Sequence, residues 1–302
     1  IHSLASYLMD GVGEPDLIVD GYNSPHGFAL KPSHAKMLQN ADLIFWVGED
    51  LESFLEKPLK SIAKKAEKIE LMEIKKLTKL EFRERNIFED HDDHGHDDHK
   101  EHGHKEDKHD DHKEHGHKED KHDDHKEHGH KEDKHDDHKE HGHKEDKHDD
   151  HHEHAHGEHD PHIWLDPMNA KVILSEMAEH LIENDQENAS KYKANLKKAH
   201  KDLDKLVKKV KSELNKDFKS IVFHDAYQYF EKRFDVNVLG AFTVNTDVMP
   251  GAEQLSEIRE VIEHEKVSCV FSEPQFNPDI IKAVAKDTNI KNRSYRSIRS
   301  HF

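Results

Sequence analysis

Between His96 and Lys147 the chain repeats the thirteen-residue unit HDDHKEHGHKEDK four times in perfect register, and degenerate copies run out to His91 and His159. Each unit carries four histidines, five acidic residues and three lysines, and its only other residue is a glycine. Imidazole is the commonest ligand for borderline transition metals, and carboxylates add oxygen donors. His96, His99, His102, His104, His109, His112, His115 and His117, in the first two units, are therefore candidate low-affinity ligands for zinc, nickel or copper. With nothing apolar to bury, the tract cannot offset its ordering entropy and is expected to be a disordered polymer. The plain alternative is a solvated low-complexity insert grown by repeat slippage. The tract indicates contact with metal and nothing more specific.

Nine of the 33 histidines lie outside it. His180, His200 and His264 fall in helical patterns beside charged neighbours and read as surface residues. His2, His34 and His301 have no evident partner. Three others share a placement. His26 follows the apolar run DLIVD (Asp16 to Asp20) through the turn GYNSPHG, His162 opens the segment HIWLDP, and His224 ends the run SIVF just before Asp225. In open parallel sheets, ligands collect at the carboxyl ends of strands. Three neutral imidazoles with a fourth position open or filled by water make a sound zinc site. Pro25 and Pro161 each precede a candidate ligand and stiffen its approach. Any one of the three is by itself more readily a structural histidine; the case for a site is joint.

The elements that must position them follow from apolar periodicity. DLIVD, Leu43 to Gly48, the stub HIWL, Ser220 to Phe223, Val236 to Gly240 and Val267 to Ser272 read as strands. His34 to Asn40, Tyr227 to Arg233 and Ala252 to His264 read as helices. Asp166 is a good N-cap with Pro167 at the first helical position, ahead of Ile173, Leu174, Met177, Ala178 and Leu181 on one face. Tyr192, Leu196, Ala199, Leu203, Leu206, Val210 and Leu214 mark an amphipathic helix of about seven turns at roughly 3.6 residues per turn. Alternating strands and helices imply an α/β fold: two Rossmann-like parallel-sheet lobes joined by one long rigid helix, with a disordered His-rich insert. The expected division is residues 1–88 with 160–185 as the first lobe, 89–159 as the insert, 186–217 as the linking helix and 218–302 as the second lobe.

Net charge is −19 with neutral histidine and mean hydropathy −1.07. The insert dominates both, because it holds 24 of the histidines and much of the charge. No basic or aromatic-interleaved face suggests nucleic acid, and no apolar run approaches a membrane span. The chain opens at Ile1 without an initiator methionine, so the absence of a leader says nothing about export. Cys269 is the only cysteine, which rules out an internal disulfide and a cysteine-based zinc knuckle.

The segments SPHGFALKPSHAKMLQNADLIFWVGEDLESFL, HIWLDPMNA, FHDAYQYFEKRF and CVFSEPQFNP closely resemble motifs of zinc-specific solute-binding proteins of ABC importers, the ZnuA-like group. The resemblance covers essentially the whole chain outside the repeat. It implies two lobes joined by a rigid helix with Zn²⁺ between them, and an acidic His-rich loop where this insert lies. It places the family's three metal histidines on His26, His162 and His224. Related manganese and iron binders carry a carboxylate where His224 stands, and imidazole is the softer ligand. Three departures stand out. Pro25 replaces a glutamate that serves some members as a fourth ligand, Cys269 lacks the C-terminal cysteine some members pair with it, and the register is lost after Asn289. The ending KNRSYRSIRSHF reads as truncated or frame-shifted. The function implied is a periplasmic or otherwise extracytoplasmic zinc receptor, a monomer that hands its ion to a membrane permease and catalyses no reaction. The repeat would then serve as a low-affinity antenna. The rivals are a zinc buffer acting through the repeat alone and a three-histidine zinc enzyme, the latter without any H-E-x-x-H or G-x-S-x-G motif. Nickel stays open as the ion.

Overall fold

The structure is a computed structural model and describes residues 1–21, 23–87, 157–244, 246, 248–285 and 291–294. The repeat, with its eight candidate weak ligands, lies outside the described residues. Two parallel sheets organise the rest. The first pairs β1 (Leu43–Trp46) with β2 (Glu67–Glu70). β1 shows the period of two expected of a strand covered on both faces. Leu43, Phe45 and Val47 pack into a core with Leu71, Ile163, Leu174 and Met177, whereas Ile44 and Trp46 join Leu38, Leu55 and Leu59 on the other face. Helices α1 (His2–Leu8), α2 (Pro32–Asn40) and α3 (Glu49–Ser61) supply much of this cover.

α4 (Pro167–Asn184) starts as its sequence dictates: the Asp166 carboxylate accepts from the Met168 amide at 2.8 Å, with Pro167 behind it. Ile173, Leu174, Met177, Ala178 and Leu181 are all buried. The long helix α5 (Ala189–Glu213) runs 25 residues, about the seven turns its periodicity demands. Its apolar stripe is used unevenly. Tyr192, Asn195 and Ala199 are buried while Leu206 is 47% exposed, because the far half runs beyond the first core.

The second sheet runs β4 (Asn237–Thr243), β3 (Lys219–His224), β5 (Cys269–Ser272), β6 (Lys291–Ser294), all parallel. Ile221, Phe223, Leu239, Phe242 and Val270 form its core with α7 (Ala252–His264) and α8 (Pro278–Ala285). α6 (Gln228–Phe234) follows β3. Cys269 is buried, as a small apolar residue would be. Within the register-lost ending, residues 291–294 still add a strand to this sheet.

Two strand expectations fail. DLIVD forms no strand: a strand needs a neighbour for its backbone groups, and among the described residues nothing ladders with this one. Leu17 is 43% exposed, and Ile18 alone reaches the cluster around Trp46. HIWL is a 3₁₀ turn, Ile163–Leu165, in which the Leu165 amide bonds the His162 carbonyl and feeds the cap of α4.

The outer edge of β4 is closed by residues 86 and 87. The Ala241 amide bonds the Asn86 carbonyl at 2.8 Å, and the Asn86 amide side chain donates to the carbonyls of Ala241 and Phe242, both at 3.0 Å. This caps an otherwise open ladder. Gly240 permits it, since a Cβ there would stand 2.6 Å from the Asn86 carbonyl oxygen. Gly240→Ala is therefore expected to destabilise the protein by about 1–3 kcal/mol, measured by denaturant unfolding; a loss under about 0.5 kcal/mol would mean the segment at Asn86 yields freely.

Candidate metal centre

His26, His162 and His224 converge, with one ring nitrogen from each lying within 4.8 Å of the other two. Ring centroids are 5.5 Å apart for His26 and His162, 5.0 Å for His26 and His224, and 4.9 Å for His162 and His224. Each arrives by a different route. His224 is the last residue of β3, in register with Thr243 of β4. His162 precedes the 3₁₀ turn that leads into α4. His26 rides a turn rather than a strand end, its amide donating to the Ser24 hydroxyl at 3.2 Å. Only His224 thus occupies the strand terminus that the sequence suggests for all three.

Two of the rings are held hard. The His162 Nδ1–H donates to the Asp160 carboxylate at 2.6 Å, and the same oxygen accepts the His162 amide at 2.9 Å. A carboxylate can only accept, so this bond fixes the tautomer and leaves Nε2 with its lone pair free for a cation. His162 and His224 are each only 5% exposed. Burial, followed by the proximity of His162 and His26, holds the His224 pKa well below the ordinary imidazole value. Neutral imidazole is the ligand form, so the pocket is prepared for a cation before one arrives.

Around the rings stands a buried polar shell. Asp225, adjacent to His224, accepts from Arg83 at 2.9 Å, and Arg83 also grips Glu231 at 2.5 and 3.3 Å. Burial outweighs the guanidinium and pushes Asp225 up to about 6 and Glu231 up to about 7. Trp164 packs at 5.5 Å on His162, and Phe276 meets His224 edge-on at 5.8 Å. Asp225, although adjacent to His224, bonds Arg83, and Asp160 is the carboxylate that holds a ring. The spacing D-x-H in Asp160-Pro161-His162 was the available signal for it.

Among the described residues, the histidines outside this centre take separate places, with His180 and His200 half-buried rather than on the surface. His180 lies 2.8 Å from Glu67, the His200 ring nitrogen is 3.1 Å from the Lys171 carbonyl, and His264 is exposed at the end of α7. His34 stacks on Phe28 at 5.4 Å between rings.

A family model described as zinc-uptake complex component A, periplasmic, matches residues 1–300. The chain belongs to this family. It is 40% identical over 293 residues to the high-affinity zinc uptake system protein ZnuA of Brucella abortus, covering 96% of this chain and 79% of that one. It is 35% identical over 292 residues to the protein of the same description from Yersinia pestis, at 95% and 77% coverage. Among solved structures, a crystal structure of ZnuA superposes with a TM-score of 0.67 over 96% of this chain and 85% of its own, at 18% identity, and so shares the fold.

Two outcomes follow from the geometry. Asp160→Asn, which frees the His162 tautomer, is expected to weaken metal binding by roughly 10–100-fold, read by competition against a chelator. For His224, the depressed pKa means that the unfolded chain binds a proton here before the native one does as pH falls through about 6.5. The unfolded state then carries more protons, so this residue adds stability above that pH and withdraws it below. Between pH 7 and 5, the pH dependence of the metal-free unfolding free energy should lose this positive slope in His224→Asn; an unaltered slope would contradict the assignment.

Proposed function

We propose that this protein captures Zn²⁺ between its two lobes through His26, His162 and His224 and delivers it to the membrane permease of an ABC importer. The observation that carries this reading is the convergence of three imidazoles, one of them fixed in its ligating tautomer, inside a buried pocket. The family and the zinc uptake proteins it resembles support the same reading. The chemistry is coordination and release: the protein is a binding component, not an enzyme, and the ion is its cargo. Three neutral nitrogen donors suit zinc, and the histidine at position 224 favours it over the harder manganese or iron, for which a carboxylate is the better partner. The site works in the periplasm as a monomer, with the repeat raising local zinc as a weak antenna.

Calorimetry of the full chain with zinc tests this. We expect one tight phase per molecule above a weaker phase from the repeat. His224→Ala should abolish the tight phase, a larger loss than the roughly 10–100-fold that outer partners cost, and leave the weak one. Removal of residues 89–158 should do the reverse. A tight phase that survives His224→Ala but disappears with the repeat would make the protein a buffer rather than a receptor.

A further inference from the structure

One carboxylate beside the centre has no structural employment. Both oxygens of Glu273 are buried, and among the described residues neither has a hydrogen-bond partner. A buried group left in this state costs free energy that a fold ordinarily avoids. Glu273 follows β5 directly, and β5 lies against β3 in the register Ser220↔Cys269, Ile221↔Val270, Val222↔Phe271. Continued by two residues, that register sets Glu273 level with His224, on a strand spacing of about 4.8 Å. The same loop touches the site again three residues on, where Phe276 stacks on Phe223 at 4.7 Å and meets His224 edge-on. Burial pushes the Glu273 pKa up to about 7, against smaller opposing effects of Tyr227, of its own backbone and of His162.

A cation held by three neutral imidazoles brings its whole charge into this pocket. Asp225 and Glu231 are already engaged by Arg83, and one oxygen of Asp160 is engaged by His162. We infer that Glu273 is the anionic partner of the bound ion, a carboxylate that meets the cation itself or the water on its fourth face. This inference rests on the three-histidine reading and extends it to a residue outside that set; Glu273 stands apart from the group of nitrogens within 4.8 Å of one another.

The test uses the full-length protein. Zinc affinity is measured by chelator competition for the wild type, Glu273→Gln, Glu273→Asp and His224→Ala, together with the metal-free melting temperature and the visible spectrum of the Co²⁺-loaded forms. Glu273→Gln keeps the shape and removes the charge. It should weaken zinc at least tenfold while the metal-free protein melts at the same or a higher temperature, because an unpaired buried carboxyl has been neutralised. Glu273→Asp should recover part of the affinity. With binding weakened, altered Co²⁺ bands put the carboxylate on the ion, and unaltered bands put water between them; both support the inference. Zinc affinity within twofold of wild type in Glu273→Gln overturns it, as does a lowered metal-free melting temperature with zinc binding unchanged. If His224→Ala retains tight binding, the three-histidine reading itself fails; if it does not, failure at Glu273 is this inference's alone.

Discussion

The hydroxyl of Tyr229 ties together the two halves of the metal centre. It donates to the Asp160 carbonyl at 2.7 Å and accepts the Leu80 amide at 3.0 Å, while the ring lies 2% exposed in the first core. Tyr229 belongs to α6, the helix that leaves His224, so one side chain fixes the segment before His162 relative to the strand end of His224. Its neighbours repeat the attachment. Gln228 donates to the Glu81 carbonyl at 3.0 Å, Glu231 holds Arg83, and Arg233 grips the Asp166 cap of α4 at 2.7 and 2.5 Å. A single hydrogen bond contributes only about 1 kcal/mol net, but leaving its buried partners unpaired costs about 1–3 kcal/mol each. α6 therefore cannot slide against the first sheet without stranding several groups at once. That resistance holds His162 and His224 in place relative to one another.

The charges in this region are hard to justify as scaffold. Buried ion pairs are weak evidence for stability, since their desolvation often cancels their attraction. Here one guanidinium faces two carboxylates, Asp225 and Glu231, with Asp160 close enough to act on both. Packing alone would be served as well by apolar groups of the same volume. An excess of buried negative charge becomes sensible once a dication is the expected guest, because its arrival supplies what the carboxylates lack. The upward-shifted Asp225, Glu231 and Glu273 are consistent with a pocket waiting for charge rather than one already balanced.

What could be read from sequence divides along physical lines. The runs SIVF and LIFW were legible because a strand covered on both faces is apolar throughout, and α4 was legible because its cap and its apolar face agree. α3 left a signal in Leu51, Leu55 and Leu59, all buried on one face, but Pro58 and the acidic first turn obscure it. DLIVD misled because apolar content does not reveal whether a partner strand exists. The three histidines were accessible as residue types, and their convergence followed from resemblance more than from strand ends. Asp160 and Glu273 were harder. Nothing in a sequence reports that a carboxylate is buried or which of its oxygens goes unpaired; that depends on α6 and β5 closing around it.

The three histidines are unequally restrained by their surroundings. Zinc–nitrogen bonds of about 2.0–2.1 Å put tetrahedral donors roughly 3.4 Å apart, and the three nitrogens here already lie within 4.8 Å of one another. His224 is pinned by the β3 ladder and His162 by Asp160. His26 is half-buried on a turn outside any ladder, with its backbone held locally by Ser24. Displacement of His26 would break no strand pairing.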